Sequence, residues 1–191
     1  MGKQGSFIKR FTDIIFSILL LIISLPVMLI SAIAIKLDSK GPVFFIQERS
    51  GLNGKPFRMV KFRGMVYNAL KVGPPITQEN DSRITRVGKI LRRTSIDEIP
   101  QIINVLKGEM SLIGPRPEII QITSKFTQEQ RKVFNFKPGI TGYSQINGRQ
   151  RLSPGERVKM EIEYYSKANF WSDFMIVGST IKVILNNQGN I

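Results

Sequence analysis

The chain has 191 residues, enough for one domain of ordinary size and a short additional segment. Lys and Arg number 28 against 14 Asp and Glu, a formal net charge of +14, and the hydrophobic share of 42% fits a folded protein rather than a disordered one. The absence of Cys and His from the sequence excludes disulfide scaffolds, zinc fingers, Cys nucleophiles and triads with a His base. Any chemistry must come from carboxylates, hydroxyls, Lys, Arg, Tyr or an oxygen-bound metal ion.

Residues 14–35 form an apolar run without a charged residue. As a helix the run would be about 33 Å long, enough to cross a hydrocarbon core of about 30 Å. Basic residues lie on both sides of it, and the positive-inside rule places both flanks in the cytoplasm. Pro26 favours a kink in the middle of the run, where Ser24 can bond a freed carbonyl. We predict a re-entrant membrane helix over residues 1–37; a straight single-pass anchor, a signal peptide and a buried helix are the alternatives.

Residues 38–191 show no repeat and no obvious linker, which predicts one domain. The pattern predicts strands at 43–47 and 56–62 joined by a hairpin loop at 50–55, followed by a polar loop at 67–82. Helices are expected at 86–93, 101–106, 118–126, 128–134 and 154–167. An apolar stripe near the C-terminus either covers the core or lies on a membrane surface; it consists of Phe174, Val177, Ile181 and Ile184. The predicted fold class is α/β, mainly helical, with a small β-hairpin and amphipathic helices at the membrane interface.

The acidic pair Asp97-Glu98 follows a stretch rich in Lys and Arg. One interpretation is structural, because Ser95 and Glu98 have the spacing of a helix capping box. The other places Pro100 at the first helical position, so that both carboxylates stand just ahead of a helix. In either case the helix dipole and the nearby cations favour ionised carboxylates. An ionised Asp97 can attack phosphorus, and Glu98 can hold Mg²⁺ against phosphates.

Other basic residues are candidates for binding the same anion. Arg116 lies in a stiff loop between two prolines, either a simple turn or a presented phosphate ligand. Arg149 follows a Gly-rich stretch. This stretch either forms ordinary turns or brings backbone amides, together with Arg149, to the same anion. Lys61 and Arg63 alternate onto one face of a strand end, as solvated residues or as ligands. The common phosphate-loop and dinucleotide fingerprints are absent from the sequence.

The basic run at residues 83–93 has two further interpretations. It can be a nucleic-acid patch, or an amphipathic helix with Ile84, Val87 and Leu91 on its apolar face. For a membrane-attached chain, anionic lipid headgroups are a closer partner than nucleic acid.

Several long motifs in this order resemble those of the monotopic phosphoglycosyl transferases, the bacterial sugar transferases that begin lipid-linked glycan assembly. They include Lys9-Arg10-Phe11-Thr12-Asp13, Gly41-Pro42-Val43-Phe44-Phe45, Lys61-Phe62-Arg63, Leu91-Arg92-Arg93-Thr94-Ser95-Ile96-Asp97-Glu98-Ile99-Pro100-Gln101 and Gly114-Pro115-Arg116-Pro117. The resemblance covers nearly the whole chain and indicates the small, single-domain type. Leu25 precedes Pro26 where some members have Ser, and Ser24 lies one place earlier.

The resemblance implies a reaction in two steps. Asp97 would attack the β-phosphate of a UDP-sugar and release UMP, and polyprenol (undecaprenyl) phosphate would then take the phosphosugar from the aspartyl intermediate. Glu98 matches the partner acid associated with Mg²⁺, and Arg92 and Arg116 match phosphate-binding arginines. The helix broken at Pro26 would keep the enzyme monotopic, on the cytoplasmic face of the bacterial inner membrane.

The expected partners are therefore a UDP-sugar, polyprenol phosphate and membrane lipids, with no nucleic acid. The resemblance to short members of the family favours an N-acetylated amino sugar as the donor sugar, while the oligomeric state is not predicted. Two other classes fit parts of the sequence: a membrane-tethered protein that binds anions without turnover, and a membrane phosphatase that uses water as the acceptor.

Overall fold

The computed structural model describes residues 7–74, 77–78, 80–147 and 152–185, and it confirms a mainly helical α/β protein. The helices are α1 (Phe7–Asp38), α2 (Ala69–Val72), α3 (Arg86–Arg93), α4 (Ile102–Lys107), α5 (Ile120–Thr123), α6 (Tyr143–Ile146), α7 (Pro154–Lys167) and α8 (Phe170–Leu185). The strands are β1 (Phe44–Ser50), β2 (Pro56–Phe62), β3 (Ser111–Ile113) and β4 (Gly139–Thr141). Single 3₁₀ turns lie at Leu52–Gly54, Ile96–Gln101 and Gln130–Asn135.

Helix α1 contains the predicted apolar run and is, among the described residues, the one helix long and apolar enough to cross a membrane. Its 32 residues run without interruption through Pro26, a length of about 48 Å. Proline leaves the carbonyl four residues earlier, that of Ile22, without its helical donor. The Ser24 hydroxyl instead donates to the carbonyl of Leu21 at 3.3 Å. Ser24 therefore does not satisfy the group that Pro26 frees.

Both ends of α1 are attached to the same domain. Near the start, the Arg10 guanidinium donates to the carbonyls of Val105 at 2.6 Å and Leu106 at 2.8 Å, at the end of α4. Near the end, Ile35 is buried against Phe62 of β2. Outward-facing residues between the two attachments are largely exposed, at 65% for Ile22 and 68% for Ile30. The helix thus presents an apolar middle while both of its ends pack on one body.

Strands β1 and β2 form the predicted hairpin, antiparallel from Phe44 opposite Phe62 to Ser50 opposite Pro56. Its turn contains left-handed residues, with φ of 56° at Asn53. On the inner face, side chains of β2 pack against α4 and the start of β3 in one core cluster, which consists of Phe57, Met59, Val105 and Met110. This packing fixes the end of β2, from which Lys61 projects.

A second, parallel pair of strands was not predicted. Ser111 of β3 pairs with Gly139 of β4, and Ile113 pairs with Thr141. Parallel strands end at the same edge, so the loop after β3 and helix α6 after β4 leave the pair side by side. This edge carries the Arg116 loop, residues 114–117.

Two predicted helical segments and the predicted apolar stripe differ from the structure. The segment at 118–126 contains only the single turn of α5, since Ile119 is extended in a bridge to Arg49, and the segment at 128–134 contains the 3₁₀ turn at Gln130–Asn135. Among the described side chains of α8 the buried apolar one is Ile176, at 1% exposure, whereas Phe174 and Ile181 of the stripe are each 55% exposed; the side chain of Ile184 lies outside the described part of the structure. The predicted apolar stripe is therefore not the face of α8 that covers the core.

Candidate active site

Asp97 and Glu98 lie in the 3₁₀ turn between α3 and α4. Ser95, immediately before the turn, has the left-handed φ of 59° and makes no capping bond through its side chain. A residue that caps a helix N-terminus is normally extended, so the capping-box interpretation is wrong. Pro100 lies inside the 3₁₀ turn and not at the first helical position, which is Ile102. The second interpretation is wrong about Pro100, but the two carboxylates do precede α4, as it required.

Glu98 is held by two cations from distant parts of the chain. Lys61, near the end of β2, donates to Glu98 Oε1 at 2.8 Å, and Arg116 donates to the same oxygen at 2.9 Å. Burial opposes ionisation of Glu98, but Arg116 and Lys61 outweigh it and lower its pKa well below the usual range. Glu98 is thus a permanent anion whose Oε2 is not used by either cation.

Asp97 is the acid of the pair that remains unpartnered: within the described residues it accepts no hydrogen bond. Burial raises the pKa of Asp97 to about 6, and the charge of Glu98 adds to the shift, while Lys61, Arg92 and Arg116 oppose it. The carboxylate is ionised at neutral pH, yet it is more basic than an ordinary Asp. Both properties suit a nucleophile, which needs a free lone pair and affinity for an electrophile.

Arg92 faces the acids from the last turn of α3. Its Nη2 donates to the hydroxyl of Thr77 at 2.7 Å, within the polar loop predicted at 67–82. The structure therefore connects that loop to a candidate phosphate ligand.

Arg116 is carried by a loop that packs tightly against the segment around β4. The amide of Gly114 donates to the carbonyl of Thr141 at 3.0 Å, and the amide of Gly139 donates to that of Pro115 at 2.9 Å. A Cβ on Gly114 would lie 2.2 Å from the Lys137 carbonyl oxygen, so only glycine permits this approach. Gly139, shortly after Lys137, thus allows the segment around β4 to pack closely against the Arg116 loop. Arg149, also predicted as a ligand, lies outside the described residues.

Arg63 is not brought to the acids. Strand β2 ends at Phe62, so Arg63 lies outside it and its side chain does not point to the same side as that of Lys61. The Arg63 guanidinium instead donates to the carbonyls of Ser39 and Lys40, both at 2.7 Å, and to that of Ile35 at 3.4 Å. The side chain fastens the C-terminal end of α1, and the interpretation of Arg63 as a phosphate ligand does not fit this position.

The acids open into a cavity of about 680 Å³ between α1, α8 and the edge of β3 and β4. Lys61, Arg92 and Arg116 line it together with Asp97, Glu98 and Ser24. Much of its wall is apolar and comes from α1, α8 and the segments that follow the 3₁₀ turn; these residues are Phe16, Leu19, Leu20, Ile99, Ile102, Leu112, Ile140, Phe174, Val177 and Ile181. The cavity thus combines cations that can bind phosphates with an apolar wall that can contact a hydrocarbon chain.

Polar residues that sequence reasoning missed also line this cavity. Lys9 of α1 and Asp173 of α8 form an ion pair of 2.6 Å, and Asp13 accepts from the Ser111 hydroxyl at 3.1 Å. Asp173 is an acid within an apolar helical stripe, which is the signal that could have identified it. Arg157 lies between this cavity and a smaller one behind the Arg116 loop, and it pairs with Glu118 at 3.1 Å.

Two adjacent carboxylates are the oxygen donors available for a cation here. The described residues contain no group of three or more His, Cys, Asp or Glu arranged to hold a metal ion. Mg²⁺ in phosphate-transfer sites is commonly held by one or two carboxylates and completed by substrate phosphates. Because Lys61 and Arg116 both use Oε1 of Glu98, its Oε2 is available for such a role, and the donor set fits.

A family model described as bacterial sugar transferase matches residues 4–187. The chain is 42% identical over 192 residues, 96% of its length, to the UDP-N-acetylgalactosamine-undecaprenyl-phosphate N-acetylgalactosaminephosphotransferase of Aeromonas hydrophila. It is 44% identical over 186 residues to the UDP-glucose:undecaprenyl-phosphate glucose-1-phosphate transferase of Escherichia coli, covering 91% of this chain. A further relative is the uncharacterized sugar transferase EpsL of Bacillus subtilis, 37% identical over 95% of this chain.

The relatives differ in length. The chain spans 45% of the Aeromonas protein and 39% of the Escherichia protein, but 89% of EpsL.

Proposed function

The chain belongs to the bacterial sugar transferase family, and we propose that it transfers a sugar phosphate from a UDP-sugar to undecaprenyl phosphate. The names of the characterised relatives support both substrate classes, and their sugars include N-acetylgalactosamine and glucose. The observation that carries the proposal is Asp97, which accepts no hydrogen bond within the described residues, beside the Glu98–Lys61–Arg116 cluster in a largely apolar cavity. A soluble nucleotide and a membrane lipid can meet at such a place.

In the first step, an oxygen of Asp97 forms a bond to the β-phosphorus of the UDP-sugar. The bond between that phosphorus and the bridging oxygen breaks, and UMP leaves with the oxygen. Arg92 and Arg116 are placed to neutralise charge on the phosphoryl oxygens, which stabilises the transition state. The strong anion Glu98 keeps Lys61 and Arg116 at the site without occupying Asp97.

In the second step, a phosphate oxygen of undecaprenyl phosphate attacks the same phosphorus, and Asp97 leaves as a carboxylate. The product is undecaprenyl diphosphate sugar, and the enzyme returns to its starting state. Glu98 is the residue that would hold Mg²⁺, through the Oε2 that Lys61 and Arg116 leave available, and the ion would supply charge neutralisation on the diphosphate when bound.

The attachment of both α1 ends to one domain supports a re-entrant membrane helix. A straight crossing would carry one end to the opposite face of the bilayer, away from the body to which Arg10 and Ile35 attach. The basic residues on both flanks support a cytoplasmic position for both ends. We therefore assign the protein to the cytoplasmic face of the inner membrane as a monotopic enzyme.

The test is UMP formation from a panel of UDP-sugars, with Mg²⁺, in the presence and absence of undecaprenyl phosphate. We expect turnover that requires the lipid, with one preferred donor. Release of free sugar phosphate without lipid would instead identify a hydrolase. Salt-sensitive binding of anionic vesicles without UMP formation from any donor would contradict the proposal and favour a binding protein.

A further inference from the structure

Glu161 of α7 is a buried acid outside the cluster that contains Asp97. It is 2% exposed and, within the described residues, has no ion pair with Lys or Arg. The main-chain amide of Ser144 donates to Glu161 Oε1 at 3.2 Å, and the hydroxyl of Ser144 donates to the same oxygen. Ser144 is completely buried in α6. A buried carboxyl held by two local donors is costly to fold, which calls for a role beyond packing.

The surroundings of Glu161 lead to the Arg116 loop. Glu161, Ser144 and Arg157 line one small cavity together with Pro115, Arg116 and Pro117 of that loop. Oε2 of Glu161 and Nε of Arg157 are both buried and have no hydrogen-bond partner in the described structure. Glu161 therefore lies directly behind the loop that presents Arg116 to Glu98.

Ser144 provides a second connection to the same loop. Helix α6 follows β4 after Gly142, where an added Cβ would lie 2.1 Å from the carbonyl oxygen of Gly114. The start of α6 is consequently pressed against the beginning of the Arg116 loop. Glu161 accepts hydrogen bonds from both donors of Ser144, its amide and its hydroxyl. It thereby fixes the position of α6 and, through α6, that of the Arg116 loop.

The charge state of Glu161 bears on this position. Burial raises the pKa of Glu161 to about 7, while the Ser144 donors and the main-chain amide and charge of Arg116 oppose the shift. The titratable and charged groups around it are Arg116 and Glu118 of the loop region, Arg157, Tyr164 and Tyr165 of α7, and Tyr143 of α6. The ionised carboxylate attracts the Arg116 amide and the Ser144 donors more strongly than the neutral acid does.

We propose that Glu161 is a positioning residue for the transfer reaction: its ionised form holds the Arg116 loop where the guanidinium reaches Glu98 and the donor phosphate. The inference rests on the proposed function and extends it to a residue that does not touch substrate. Glu161→Gln preserves the shape and the Ser144 contacts but removes the charge.

The test is the pH dependence of kcat/KM for the UDP-sugar, measured as UMP formation during turnover with saturating undecaprenyl phosphate; in a two-step reaction this constant reports the first half-reaction. With Asp97 and Glu161 both required as anions, the acidic limb of the wild-type profile approaches a slope of about 2. In Glu161→Gln the slope falls to about 1, and kcat/KM at pH 8 falls about tenfold. Glu163→Gln, an exposed acid on the same helix, is the matched control and retains the wild-type profile.

A double-mutant cycle distinguishes positioning of Arg116 from general damage. In an Arg116→Ala background, Glu161→Gln should lower kcat/KM by less than about twofold, because the group it positions is gone. If Glu161→Gln does not fold, the same pH profile is measured on Ser144→Ala. Loss of the hydroxyl donor raises the pKa of Glu161, so the acidic limb of the kcat/KM profile should move to higher pH.

Equal slopes in wild type and Glu161→Gln, or a wild-type slope of about 1, would overturn the inference while leaving the proposed function intact. Additive losses in the cycle would also overturn it. A folded wild-type protein that forms no UMP from any donor would reject the proposed function, and the inference with it.

Discussion

Arg116 and Glu98 form an ion pair of 2.9 Å in which the acceptor is Oε1, the oxygen that also takes the Lys61 ammonium. The acid beside Asp97 thereby engages the two cations, and Asp97 is left without a hydrogen bond in the described structure. Two carboxylates adjacent in sequence consequently have pKa values displaced in opposite directions. Such divergence commonly separates the roles of paired acids, here an anion that organises cations and a nucleophile.

Asp97→Asn removes the nucleophile without changing the shape of the side chain. We expect turnover to fall by about 10³-fold or more, because the amide cannot form the phosphosugar intermediate. The measurement is UMP formation, together with transfer of radiolabel from the UDP-sugar to the protein. Glu129→Gln, on an exposed turn, serves as the control. Full activity or continued labelling in Asp97→Asn would show that another residue is the nucleophile.

The same substitution should stabilise the fold at neutral pH. The pKa of Asp97 is raised in the folded state to about 6 from an unfolded value near 4, so the folded state binds more protons in between. Stability conferred by the neutral acid is therefore lost as pH rises through this window. Asp97→Asn should increase the free energy of unfolding by about 2 kcal/mol at pH 8, with no gain at pH 3. Thermal unfolding in detergent, followed by Trp171 fluorescence, measures both values; a pH-independent difference would contradict the assignment.

Glu98→Gln should release Lys61 and Arg116 toward Asp97. Two nearby cations and the loss of one anion lower the pKa of Asp97, so the acidic limb of residual activity should move below its wild-type position. Turnover itself should fall sharply, because the cations no longer have their anchor. The residual activity should also lose its Mg²⁺ dependence. An unchanged Mg²⁺ titration in this variant would argue against metal binding by Glu98.

Arg63→Ala should damage the fold rather than the chemistry. Arg63 is 4% exposed and its guanidinium donates to carbonyls at the end of α1, so its removal leaves acceptors there unsatisfied. We expect a loss of about 3 kcal/mol in the free energy of unfolding. The KM for the UDP-sugar should change by less than about twofold. Arg58→Ala, an exposed arginine of β2, is the control, and a large rise in KM for Arg63→Ala would restore its role as a phosphate ligand.

The topology of α1 is tested by cysteine labelling, which the Cys-free sequence makes straightforward. Cysteines at Ser6 and Lys55 lie before and after α1, and Lys55 is exposed in the hairpin turn. In intact cells both should resist an impermeant maleimide, and both should react after the inner membrane is opened. Labelling of one position from outside and of the other only from inside would demonstrate a single-pass anchor.

The residues that the structure brings to the cavity were largely visible in the sequence. Lys61 and Arg116 were identified as cations that suit a phosphate, and Asp97 and Glu98 as a possible nucleophile and Mg²⁺ ligand. Arg92 was predicted from the resemblance alone. Helices α3 and α7 were predicted at their observed bounds, since their apolar periodicity is strong and Thr85 and Ser153 cap them.

The remainder depends on contacts that no local pattern encodes. Strands β3 and β4 have three residues each and pair across a long stretch of chain, so neither has a detectable period. Ser95 fits a capping box by spacing, but its left-handed backbone removes it from that role. Arg63 does not lie in the predicted site, because β2 ends one residue before it. Its side chain instead donates to carbonyls just after the end of α1.

The ion pair between Lys9 and Asp173 joins the first helix of the chain to the last. Because α1 is synthesised before α8, Lys9 has no counter-ion until Asp173 has been made. The contacts of Arg10 with α4 and of Asp13 with Ser111 join segments that are made earlier. A chain truncated before α8 would therefore keep those two contacts but would lack the partner of Lys9 and one wall of the cavity.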